Sequence, residues 1–219
     1  MCEPDRRRLG VFLGLGGWLF LLLLTRRLGP SLTARFALLA AQQAMFIAIG
    51  LFCVRRKILS FPGLKTFAKG ILSGVGLYAA NAVLGSLTLQ IFARLLGSET
   101  TLRLLAAERA ALEPFLNGES PLLAAGMGLM LIVGAPLSEE LFFRGLILDQ
   151  LKEHVGAGPA IFLAALLFAG LHFYVIQFIP VLAAGIFLGL MFTRAENLFL
   201  PIVAHAVTNG LALAAWFAL

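Results

Sequence analysis

Long apolar runs recur from one end of this chain to the other, and they leave few architectures open. They cover residues 9–24, 32–54, 68–96, 122–151, 160–174, 181–193 and 200–219. A helix needs about 20 apolar residues to cross the hydrocarbon of a bilayer. In lipid, only helices and closed barrels satisfy every backbone N–H and C=O internally. Strand-period alternation is absent, which argues against an outer-membrane barrel. The reading is all-α: a polytopic transmembrane helix bundle of about seven spans, or eight if one run conceals a second helix. With 60% of 219 residues hydrophobic and a mean hydropathy of +0.96, no room remains for a sizeable soluble domain. Residues 1–219 are read as a single membrane-embedded domain.

The charges sit between the runs. A net charge of +6 in short Arg/Lys clusters reads as topology and lipid-headgroup contact, not nucleic-acid binding. Arg6, Arg7 and Arg8 before the first run imitate a signal peptide. Thr25-Arg26-Arg27 stands where a small-residue cleavage site would be, so an uncleaved span is expected. With the N-terminus inside, the inner loops hold Arg6, Arg7, Arg8, Arg55, Arg56, Lys57, Lys65, Lys69, Lys152 and Arg194. The outer side holds Arg26, Arg27, Arg35, Arg103 and Arg109. The inner excess favours a cytoplasmic N-terminus in a cell (inner) membrane. Cys2 and Cys53 make no disulfide or metal pattern. Gly70/Gly74 and Gly185/Gly189 have the spacing that lets helices approach closely. In the 97–120 connector, Leu102, Leu105, Ala106 and Leu112 recur among charged residues that include Glu99, Glu108 and Glu113. A short interfacial helix around 99–113 follows, either a solvated cap or a gate for substrate.

One run breaks the hydrocarbon rule. Pro136-Leu137-Ser138-Glu139-Glu140-Leu141-Phe142-Phe143-Arg144-Gly145 places three charges inside 122–151. Each costs roughly 2.5–3.5 kcal/mol at membrane depth. Glu140 and Arg144 are i,i+4 and share a helix face, where they can pair. Glu139 lies about 100° round the helix and is left free to face a cavity. Two more polar pairs follow at i,i+4: Phe168 with His172, and His205 with Asn209. A lone His or Asn in a membrane helix is most often interhelical glue, and a lone ion pair can be structural. Together, two carboxylates, two imidazoles and an amide in apolar surroundings call for chemistry.

In that order, Glu139-Glu140-x-x-x-Arg144, Phe168-x-x-x-His172 and His205-x-x-x-Asn209 resemble the CPBP (Abi) family of intramembrane proteases, which includes the Ras-converting CAAX prenyl endopeptidases. Phe143-Arg144-Gly145 and Gly185-Ile186-Phe187-Leu188-Gly189 resemble its flanking sequence. The resemblance covers residues 121–210, the expected catalytic core, and residues 1–120 carry no family signature. It implies that Glu139 and His172 position the attacking water.

Peptide hydrolysis needs an activated water, donors for the oxyanion and a proton for the leaving amine. Glu139 is the expected general base, since burial makes a carboxylate a stronger base. Glu140 with Arg144 is expected to hold the helix and orient Glu139, while His205 and Asn209 present N–H donors. Phe168 is assigned to substrate binding. In a zinc-dependent version, His172, His205 and Glu139 would be the ligands. No H-E-x-x-H spacing supports it, and Arg144 would compete for the remaining carboxylate, so the expected mechanism requires no cofactor. The expected substrate is a membrane-anchored or lipidated peptide or protein entering from the bilayer. A transporter would call for internal inverted repeats, and none is visible; an inactive immunity or scaffold protein is the other alternative. Oligomeric state is not legible.

Overall fold

The computed structural model describes residues 3–27, 31–118 and 120–218, and every regular element among them is helical. Cys2 and the last residue of the final apolar run, Leu219, lie outside the described residues. Among the described residues, six helices are long and apolar enough to cross a membrane. They are α1 (Glu3–Arg27), α2 (Leu32–Cys53), α3 (Leu64–Leu96), α6 (Pro121–Val155), α8 (Phe178–Ala195) and α9 (Phe199–Ala218). Between them lie α4 (Ser98–Arg109), the single turn α5 (Glu113–Leu116) and α7 (Ala157–Gly170).

The fifth predicted span is where the count falls to six. Helix α7 has 14 residues, about 21 Å at 1.5 Å each against a hydrocarbon core of about 30 Å. It stops at Gly170, and the chain turns through 171–173. His172 therefore sits on a turn within the protein, one residue before Phe173 with φ of 56°. A bulky side chain tolerates that left-handed region only when its surroundings hold it there.

Helix α6 is not uniformly α. The Ala135 N–H bonds the Met130 carbonyl and the Asp149 N–H bonds the Arg144 carbonyl, both i→i+5. The π-helical stretches are Met130–Gly134 and Glu140–Leu148. Pro136, with no N–H, already removes a rung between them. Such widened turns are frequent at functional sites, and the second holds Glu140 and Arg144. All nine of its residues are buried. Phe142 stacks on Phe46 of α2 at 4.1 Å, and Phe143 meets Phe168 of α7 edge-on at 5.1 Å. In lipid such contacts act through van der Waals packing rather than water release.

The glycine pairs do what their spacing predicts. A Cβ on Gly74 would lie 2.6 Å from the Ala204 carbonyl oxygen, and one on Gly70 2.8 Å from Val203, so α3 and α9 touch backbone to backbone. Gly185 and Gly189 bring α8 against Ala165 and Ile161 of α7.

The 97–120 connector is no plain solvated cap. Leu102, expected on the apolar face, is 62% exposed, while Thr101 is buried. Phe115 and Leu116 are buried in a cluster with Met127. The inner basic residues also do more than set topology. Buried Arg7 pairs with Asp149 and Glu153, each at 2.9 Å, tying α1 to the end of α6.

Candidate active site

The widened stretch of α6 sends Glu140 inward to a chain of polar contacts. Arg144 Nη1 donates to Glu140 Oε1 at 2.8 Å and Nη2 to the Gly185 carbonyl at 3.1 Å. The guanidinium also lies 4.6 Å from the Phe168 ring. His205, from α9, places Nδ1 2.9 Å from the same Glu140 oxygen. Its Nε2 lies 3.9 Å from Glu139 Oε2. Arg144, Glu140, His205 and Glu139 thus follow one another in space. Glu140 and Arg144 are almost wholly buried; the Glu139 side chain keeps 17% exposure. The remaining Glu140 oxygen, Oε2, is buried and makes no hydrogen bond among the described residues.

Tautomers follow from the partners. His172 Nδ1 lies 2.7 Å from the Phe168 carbonyl. A carbonyl only accepts, so Nδ1 carries the proton and the neutral ring leaves a lone pair on Nε2. His205 Nδ1 faces a carboxylate and is likewise the donor, so its Nε2 can donate only in the imidazolium form. Asn209 Nδ2 gives one N–H to the Leu131 carbonyl at 2.9 Å, within the first widened turn, and keeps one. The donor roles expected of His205 and Asn209 are therefore narrower than their spacing suggested.

Glu139, Phe168, His172, His205 and Asn209 line one cavity of about 430 Å³. The rest of its wall is largely apolar and includes Leu116 of α5, Met127 and Met130 of α6, and Leu213 and Trp216 of α9. A larger cavity of about 650 Å³ lies beside Lys69 and Arg194. No carboxylate or imidazole lines it, so it is not where acid–base chemistry would occur. Phe168 has two neighbours to satisfy: it lines the first cavity and also forms the shelf beneath Arg144. The bare Nε2 atoms of His172 and His205 are suitable donors for zinc. However, among the described residues no three His, Cys, Asp or Glu side chains converge closely enough to hold a metal ion. The set does not fit zinc as placed, and no step is routed through it.

Residues 121–211 match the family described as Type II CAAX prenyl endopeptidase Rce1-like. The match takes in all three polar motifs, from Glu139 to Asn209, and so shows that this segment is similar to that family. An uncharacterized protein, YpbD, of Bacillus subtilis (strain 168) is 38% identical over 77 residues, covering 33% of this chain and 36% of that protein. CAAX prenyl protease 2 of Rattus norvegicus is 36% identical over 76 residues, covering 34% of this chain and 24% of that protein. The chain thus spans about a third or less of the length of the curated relatives it matches. No solved structure matches.

The Rce1-like segment holds one polar residue that sequence reasoning passed over. Tyr174, on the 171–177 turn, lines the same cavity, with its ring 5.6 Å from that of His172. Burial pushes its phenol above the ordinary tyrosine value, and Glu139 and Glu108 push the same way. It is protonated at neutral pH and is a donor. A second residue lies outside the segment. Glu108, on α4, accepts from the backbone N–H groups of Val175, Ile176 and Gln177 at 2.5, 2.6 and 3.3 Å. In the sequence Glu108 is one charge among several in a connector, and nothing local marks it as the one that turns inward.

Proposed function

We propose that this protein is an intramembrane endopeptidase in which Glu139 activates a water against a peptide bond of a membrane-anchored or lipidated substrate. The observation that carries this is the convergence at one cavity of Glu139, His172 and His205, from three separate parts of the chain, with an apolar wall around them. Glu139 keeps access to that cavity, whereas Glu140 is enclosed by Arg144 and His205. The accessible carboxylate is the base, and the enclosed one fixes His205 and the helix turn.

Water is held between Glu139 and the bare Nε2 of His172. Glu139 takes a proton as the water oxygen bonds to the carbonyl carbon, and the C=O π pair moves to oxygen. The second N–H of Asn209 faces the oxyanion, and His205 adds an Nε2–H donor only in its doubly protonated form. When the C–N bond breaks, its electron pair stays on nitrogen and the proton held by Glu139 passes to that amine. The atoms balance without a cofactor. The apolar end of the cavity suits a prenyl or other hydrocarbon tail, which agrees with the CAAX prenyl substrate class in the family's description. The N-terminus is assigned to the cytoplasmic side.

The test is cleavage in proteoliposomes of prenylated and unprenylated CAAX-type peptides by the parent, Glu139→Ala and His172→Ala, with and without a zinc chelator. Both substitutions should abolish cleavage, and the chelator should change little. Activity surviving Glu139→Ala overturns the base assignment. Full inhibition by chelator, restored by zinc, overturns the metal-free mechanism.

A further inference from the structure

Most side-chain donors beside Glu139 are already committed. Arg144 gives to Glu140 and Gly185, His172 Nδ1–H to Phe168, and His205 Nδ1–H to Glu140. Asn209 has given one of its two N–H bonds to Leu131, and Thr208 is turned to the carbonyls of Gly74 and Ala204. The Tyr174 hydroxyl makes no hydrogen bond among the described residues and lines the same cavity as Glu139 and His172. An oxyanion is stabilised best by donors fixed in advance, with nothing to release when charge develops.

The turn bearing Tyr174 is pinned from both sides. Trp18 of α1 stacks on Phe173 at 5.7 Å. From the other direction Glu108 accepts three successive N–H groups, beginning with the residue after Tyr174. Hydrogen bonds to a carboxylate are roughly twice as strong as neutral ones. These also sit just before the first turn of α8, where the helix dipole favours negative charge.

We propose that the Tyr174 hydroxyl is a further oxyanion donor, and that Glu108 is the positioning residue that holds it in place; this rests on the hydrolase reading above. The phenol donates a hydrogen bond to the oxygen receiving the C=O pair and keeps its own proton throughout. Glu139 still carries the transferred proton from water to amine.

The experiment measures kcat and KM on a prenylated CAAX-type peptide in proteoliposomes for the parent, Y174F, E108Q, the double variant and E139Q, with thermal melts of each. Y174F should lower kcat about 100-fold, with KM within about threefold and melting unchanged. E108Q should cost about tenfold in kcat through misplacement of the turn. The double variant should lose less than the product of the two. A Y174F enzyme within about twofold of the parent kcat, beside an inactive E139Q, overturns the Tyr174 role alone. Multiplicative losses in the double variant overturn the claim that Glu108 acts through Tyr174. An E139Q enzyme as active as the parent removes the hydrolase reading itself.

Discussion

Helix α6 carries two buried ionic clusters, and they differ in what lies beside them. Near its end, Asp149 is 1% exposed and both its oxygens are engaged, by Arg7, Arg55 and Lys152. It borders only a small space of about 70 Å³ shared with Arg55, Lys57 and Glu196. Nearer the middle, Glu140 is equally buried and paired, but one oxygen has no partner among the described residues. Its neighbour Glu139 opens onto about 430 Å³ lined by two imidazoles. A buried ion pair is thus no guide to function by itself, since the helix carries one near its end and another near its middle. What separates them is a second carboxylate with access to a cavity large enough for a substrate.

That contrast can be broken in a definite order. The largest effect should come from Glu139→Gln, which removes the proposed base while keeping the shape. Cleavage in proteoliposomes should fall about 10³-fold with the melt unchanged, and a melt that falls in parallel would make Glu139 as structural as Asp149. Next, Arg144→Met should cost about 3–5 kcal/mol of stability, because it strands a buried carboxylate, and should lose activity as well. Asp149→Asn weakens three cation contacts near the end of the helix. It should cost about 1.5–3 kcal/mol in chemical denaturation yet leave kcat per folded molecule unchanged; a kcat loss in protein that still melts normally would erase the distinction between the clusters. The smallest effect should come from Gly74→Ala, which alters a helix–helix contact and removes no charge. Its Cβ would press on Ala204 and Val207, for about 1–3 kcal/mol read as a lower melting temperature.

Much of this was legible without coordinates because lipid punishes exceptions. Six of the seven apolar runs are helices of spanning length, and the Gly pairs mark where helices touch. Glu139, Glu140, Arg144, His172, His205 and Asn209 were conspicuous because a polar side chain in an apolar run is expensive. Less legible was whatever depends on where a helix stops. The run 160–174 reads as continuous, yet α7 ends at Gly170 and puts His172 on a turn. The surroundings of the connector helix are less legible for the same kind of reason. At the bilayer edge burial is set by what packs there, so Leu102 faces out and Glu108 faces in.

From residues alone come the bundle, its membrane setting and the shortlist of reactive groups, because the hydropathy penalty acts on each side chain wherever it later packs. The folded chain alone settles which oxygen is enclosed and which is accessible, which ring nitrogen is bare, and that Tyr174 and Glu108 belong to the same neighbourhood. Those are matters of ångströms between segments 30 to 70 residues apart, and helical periodicity says nothing about distances across that gap.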